Sequence, residues 1–208
     1  MQDNNLTVVG TLHDITTYKT FDTPAHTLYK ATVSTTRLSG KVDNIPCLVD
    51  DIRVPVSDID LSATYIVDGE VRTRREVSDG KRHNRVYIHI TAITPYIKGL
   101  VPESINVTTN KVSIVGKLCD TPAYCEKSNG RRVSTVIVRV DGKQDRHYYV
   151  PCVLWGDDAV SIAKMHKYDR VAIHGRIQQR EYTKPVGDGV QLGIAYELSV
   201  QGYKVICE

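Results

Sequence analysis

An internal duplication constrains this chain more than any other feature. Asn4-Asn5-Leu6-Thr7-Val8-Val9-Gly10-Thr11-Leu12 reads against Asn110-Lys111-Val112-Ser113-Ile114-Val115-Gly116-Lys117-Leu118, so Asn4 falls on Asn110 at an offset of 106 residues. Asp14 with Asp120 and Tyr18 with Tyr124 keep that offset, and so does Ile66-Val67-Asp68-Gly69-Glu70-Val71 with Ala172-Ile173-His174-Gly175-Arg176-Ile177. Pro46-Cys47 matches Pro151-Cys152 one residue short of it, which implies a single insertion or deletion between the matched blocks. A period of this length means tandem domains and not a solenoid. The 208 residues divide into an expected domain over 1–100 and a second over 106–208, a size each can fold at.

Both halves carry strand signals. Val112, Ile114 and Leu118 alternate with polar residues, as do Val136, Val138 and Val140, and such a period of two marks a half-buried strand. Ser128-Asn129-Gly130 and Asp141-Gly142-Lys143 are turn formers between them. One helix is expected, capped by Asp157-Asp158, carrying Ala159, Val160, Ile162, Ala163 and Met165 and ending at His166-Lys167. Its first-half counterpart, Ser57-Asp58-Ile59-Asp60-Leu61 after Pro55, is expected to be only a turn. Strands, a short helix and further strands give an all-β chain of two oligonucleotide/oligosaccharide-binding (OB) barrels, each a five-stranded Greek key.

Charge leans toward the second half. Residues 1–105 hold 12 Lys+Arg against 13 Asp+Glu, and residues 106–208 hold 15 against 11. A polyanion would therefore be met by the second domain. Five cysteines without a Cys-x-x-Cys pair argue against a disulfide framework or a structural zinc. The seven histidines form no metal-spaced pair, and no phosphate loop or nucleophile motif is present. The expectation is a binding protein without cofactor or metal, not an enzyme. No signal peptide or long apolar run is seen, so an intracellular, soluble protein is expected.

In a strand, alternate side chains share a face. Arg176, Gln178, Arg180, Tyr182 and Lys184 would then form one row, suited to a single nucleic-acid strand because cations meet phosphates and a ring stacks a base. An ordinary solvated face is the competing reading. Tyr149, Pro151, Val153 and Trp155 share a face of another strand, and Trp155, the sole tryptophan, is either core or platform. In the first half, Arg72 and Arg74 lie on one face, with Lys81, Arg82 and Arg85 beyond a turn at Asp79-Gly80. This hairpin either tracks phosphates or is salted by Glu70, Glu76 and Asp79.

From Asn110 the second half resembles the bacterial and phage single-stranded DNA-binding protein family, and is also similar to primosomal OB proteins. The resemblance is carried by NKVSIVGKLCDTP (110–122), YYVPCVLWG (148–156) and VAIHGRIQQREYTK (171–184), in order and with family-like spacing. It implies base stacking on Tyr149, Trp155 and Tyr182; beside these rings, the strand-face reading puts Arg176, Gln178, Arg180 and Lys184 on phosphates, and the hairpin reading makes Arg72, Arg74, Lys81 and Arg82 an auxiliary contact. The matching first-half positions are Asn44, Asp50 and Glu76, so that half is expected to be scaffold, with Tyr18 and Tyr29 as the rings left if its surface moved. The resemblance further implies sequence-tolerant binding in DNA replication, recombination or repair, in the cytoplasm of a bacterium or a phage-infected cell. A homodimer would present four OB folds, with replication proteins as further partners. The family's acidic tail has no match at Val205-Ile206-Cys207-Glu208. An interaction module of a primosome-like assembly, with minor DNA contact, is the alternative.

Overall fold

The structure is a computed structural model. It describes residues 4–78, 81–186 and 189–206, with side chains except those of 77–78, 81–83 and 185–186. Two compact units result. One holds Gln2–Arg72 with Tyr87–Val112, and the other holds Ser113–Glu208 with Thr73–Val86.

The first barrel uses β1 (Asn4–Asp22), β2 (Ala25–Thr36), β3 (Val42–Asp50), β4 (Thr64–Ser78) and β5 (Lys81–Pro95). Its strands follow one another as β1-β2-β3-β5-β4 and return to β1, so the barrel is closed. Closure removes the unpaired edges that an open sheet would leave. The closing seam between β3 and β5 is parallel, with Cys47 opposite Ile88 and Leu48 opposite His89. Leu6, Val8 and Leu12 are buried on β1, as the alternation predicts, and share the core with Val33, Ile45, Val67 and Ile88. After Pro55 the chain makes only a 3-10 turn over Val56–Asp58, as expected for the shorter counterpart of the helix.

The second barrel repeats this circuit. It uses β6 (Asn110–Leu118), β7 (Ala123–Glu126), β8 (Arg132–Asp141), β9 (His147–Trp155), β10 (Arg170–Val186) and β11 (Gly189–Val205). The closed order is β6-β8-β9-β11-β10 and back to β6, with β7 paired to the first residues of β8, Arg132 to Thr135. Its seam is again parallel, with Cys152 opposite Leu198 and Val153 opposite Ser199. Strand order and seam therefore match between the halves, as the five-stranded Greek-key expectation requires. Val112, Ile114, Val138, Val150, Leu154, Ile173 and Ile177 fill its interior. Each such side chain, fully buried, contributes roughly 1.5–3 kcal/mol.

Helix α1 (Gly156–Ile162) covers this core with Ala159 and Ile162. The expected cap is corrected. The N-cap is Trp155, not an aspartate, and makes no side-chain capping bond. Gly156 adopts φ +63, a conformation that costs glycine little, and so starts the helix before Asp157. The two aspartates fall in the first turn instead, where a negative charge suits the helix dipole.

The repeated glycines share a geometric reason. A Cβ on Gly10 would come within 3.0 Å of the Ser34 carbonyl oxygen, and one on Gly116 within 3.0 Å of the Arg139 carbonyl oxygen. Gly69 and Gly175 press equally closely on the carbonyls of His89 and Ser199. Strand glycines mark such tight barrel bends. The repeated cysteines also share a place: Cys47 and Cys152 are core residues whose thiols burial pushes far above the ordinary range.

Candidate nucleic-acid interface

Tyr148, Val150, Cys152 and Leu154 are the inward set of β9. The outward set is therefore Tyr149, Pro151, Val153 and Trp155, paired across β8 with Arg139, Ile137, Thr135 and Val133. Trp155 is 45% exposed. The core alternative for the sole tryptophan is thus excluded, because it sits at the strand end where Gly156 turns the chain into α1. Tyr149 lies six positions back on the same face, about 20 Å away at strand rise, and is half-buried.

Strand β10 brings up the other residues. Beyond a bulge at His174/Gly175, Arg176, Gln178, Arg180 and Tyr182 pair with Ser199, Glu197, Ala195 and Gly193 of β11. Tyr182 is 40% exposed. Its ring lies over Gly193, where an added Cβ would come 2.6 Å from Tyr182 Cζ. The Arg180 guanidinium stands 6.0 Å from the Tyr182 ring centre, within reach of a cation–π attraction. Lys184 is half-buried and pairs with Gln191.

The expected cationic row is not bare. Arg176 Nη2 donates to Gln178 Oε1 at 3.3 Å, and Gln178 Nε2 donates to Glu197 Oε1 at 3.2 Å. Arg180 Nε donates to Glu197 Oε2 at 3.0 Å. Gln178 is buried, with its amide engaged at both ends, which corrects its reading as an exposed polar contact. Arg180, Tyr182, Lys184, Pro151 and Tyr196 line a cleft of about 510 Å³. The Thr73–Val86 segment supplies its other wall through Glu76, Asn84 and Arg85. The backbone N–H of Tyr149 donates to Thr73 Oγ1 at 2.9 Å. Burial raises the Tyr196 phenol above its ordinary range, opposed by the charge of Arg85.

The first-half arginines take the salted alternative. Arg72 donates from Nε and Nη2 to Glu70 Oε2, at 3.0 and 2.8 Å. Arg74 donates to Glu76 Oε1, and Arg85 Nε donates to Glu76 Oε2 at 2.6 Å. Burial pushes the Glu76 carboxyl up, but Arg74 and Arg85 outweigh it and hold the group below its usual range. Lys81 and Arg82 lie outside the described side chains. Tyr18 is exposed with Lys30 Nζ 4.7 Å over its ring, and Tyr29 is half-buried. Asn44 accepts a hydrogen bond from Ser34.

Sequence reasoning missed Glu197, Gly193 and Tyr196. All three depend on which β11 residue faces which β10 residue, and that register needs the position of the connecting turn. Among the described residues, no group of His, Cys, Asp and Glu is placed to hold a metal ion, and no helix is long and apolar enough to cross a membrane.

The outward aromatic set and the β10 row lie in the part of the chain, residues 109–204, that matches the profile of the single-strand binding protein family. The second half is thus similar to members of that family. A single-stranded DNA-binding protein of Malacoplasma penetrans, strain HF-2, is 34% identical over 84 residues. That match takes in 39% of this chain and 44% of the relative, so the chain spans less than half the length of the curated protein it matches. The likeness of fold extends further. The wild-type single-stranded DNA binding protein from Thermus aquaticus superposes with a TM-score of 0.73 at 15% identity, covering 99% of this chain and 93% of that one. A deletion variant of the same protein gives 0.70 at 15% identity, covering 99% and 95%.

Proposed function

We propose that this chain binds single-stranded DNA with little base preference, holding it on the outer face of the second barrel. The observation that carries this is the exposure of Trp155 and Tyr182 on strands whose outward neighbours include Arg176, Arg180 and Lys184. Exposed ring faces stack bases of any identity, at roughly 1–3 kcal/mol per base, while cations neutralise phosphates. Tyr149, half-buried beside Thr73, is the weakest of the three stacking positions. Binding is the whole activity in this reading, with no catalytic step and no cofactor. The first barrel is a scaffold: Glu76, which stands where Tyr182 stands in the second half, is held between two arginines and offers no stacking face. Replication, recombination or repair in a bacterial or phage-infected cytoplasm is the setting, with a homodimer presenting four barrels.

The test is a titration with oligo-dT followed by Trp155 fluorescence at two salt concentrations. Quenching is expected, weaker at higher salt. Two to three neutralised phosphates give a slope of about −1.4 to −2 in log K against log salt. If fluorescence and anisotropy of labelled oligo-dT both stay unchanged at low salt, the reading fails.

A further inference from the structure

We infer that Glu197 is a built-in substitute for a phosphate, placed on the proposed DNA face to hold down its affinity. This rests on the binding reading above and sharpens it.

Glu197 points outward on β11, since its neighbour Leu198 belongs to the core and it pairs with Gln178 on the outer side of β10. It is nonetheless only 4% exposed. A buried carboxylate is costly unless both oxygens are satisfied, and here both are. Oε1 accepts from the Gln178 amide and Oε2 from Arg180 Nε. An amide and a guanidinium converging on two oxygens of one anion is the arrangement a phosphate would be given. Glu197 and Arg180 both line the cleft beside Tyr182.

Arg180 therefore reaches a DNA strand with its charge already balanced. It remains half exposed, with a 53% accessible side chain, so it can touch a phosphate. That contact releases little counterion, because the Glu197 charge lies behind it. The consequence is a protein that grips by its rings and lets go readily.

The measurement is oligo-dT affinity across a salt series for Glu197→Gln, Arg180→Gln and the double variant, each checked by circular dichroism. Glutamine keeps the size and an accepting oxygen. Glu197→Gln should bind roughly tenfold tighter at low salt, the scale of one charge about 7 Å from the phosphate in partly screened surroundings. Its salt slope should steepen by about 0.7, one more phosphate neutralised. Arg180→Gln uncovers the Glu197 carboxylate, so it should weaken binding by a similar factor in the parent, while the double variant returns to near the parent affinity and slope, a compensation that a purely structural role for Glu197 would not produce. A folded Glu197→Gln protein with equal or weaker binding and an unchanged slope overturns the inference. So does unchanged binding by a folded Arg180→Gln protein, which remains readable even if Glu197→Gln fails to fold. A parent protein that ignores oligo-dT defeats the underlying reading instead, before any variant is compared.

Discussion

Replacing Gly116 with alanine tests why the two halves keep the same glycines. The new Cβ would lie 2.7 Å from Val138 Cγ1 and closer still to the Arg139 carbonyl oxygen. The valine can adjust, but the carbonyl belongs to β8, whose Val138 and Arg139 face Leu118 and Lys117 of β6. Relief therefore requires the two strands to separate by several tenths of an ångström or more. Forcing extra atoms into a packed site costs typically 1–3 kcal/mol, toward the upper end here because the obstacle is backbone, and the stiffer unfolded chain offsets about 0.4–1 kcal/mol of that. We expect a net loss of about 2 kcal/mol, or roughly 8–15 °C in the midpoint of a domain of this size. Gly202→Ala is the control, because its Cβ would meet only the His174 ring, a side chain that can turn away. Urea unfolding followed by Trp155 fluorescence reports on the barrel that holds both sites. Gly116→Ala within about 0.5 kcal/mol of the parent, or no more damaging than Gly202→Ala, would refute the close-approach argument.

Three further outcomes are expected. Trp155→Ala and Tyr182→Ala should each weaken oligo-dT binding by about 5- to 100-fold with little change in unfolding midpoint, since both rings are exposed; unchanged affinity in a folded double variant would favour the interaction-module role. His89 is buried, and desolvation together with the charge of Arg72 pulls it down to about 4. Between about pH 6.5 and 4 the unfolded chain takes up a proton that the folded one refuses, so stability falls as pH drops through that window, by up to roughly 3 kcal/mol. His89→Gln should flatten that limb in urea melts read by circular dichroism. Finally, Cys125 is exposed whereas Cys47 and Cys152 are buried, so iodoacetamide with peptide mapping should label Cys125 in the native protein and reach the other two only after denaturant is added.

How far each feature was legible follows from what decides it. The duplication was visible because glycines and inward residues answer to backbone closure, which tolerates few substitutes. The faces of β9 were harder. Its inward set (Tyr148, Val150, Cys152, Leu154) and its outward set (Tyr149, Pro151, Val153, Trp155) are both apolar or aromatic, so alternation separated them without saying which was core. The resemblance broke that tie for Trp155. The helix start was misplaced by one feature, the left-handed Gly156, which let the chain turn before the aspartates arrived. The charge row on β10 was correctly grouped, but its partner Glu197 lies on another strand. Composition counts Arg180 as a free cation, whereas geometry balances it.

The likeness of the two opening strands has a consequence for assembly. Leu6, Val8 and Leu12 of β1 and Val112, Ile114 and Leu118 of β6 present interchangeable inward faces, each interrupted by a glycine at the same step. During synthesis β1 meets its own partners before β6 has emerged, so order of appearance helps to keep each strand in its barrel. A chain diluted out of denaturant has no such order. Either strand can then be captured by the wrong barrel, and exchange between neighbouring repeats becomes the misassembly that competes with correct refolding.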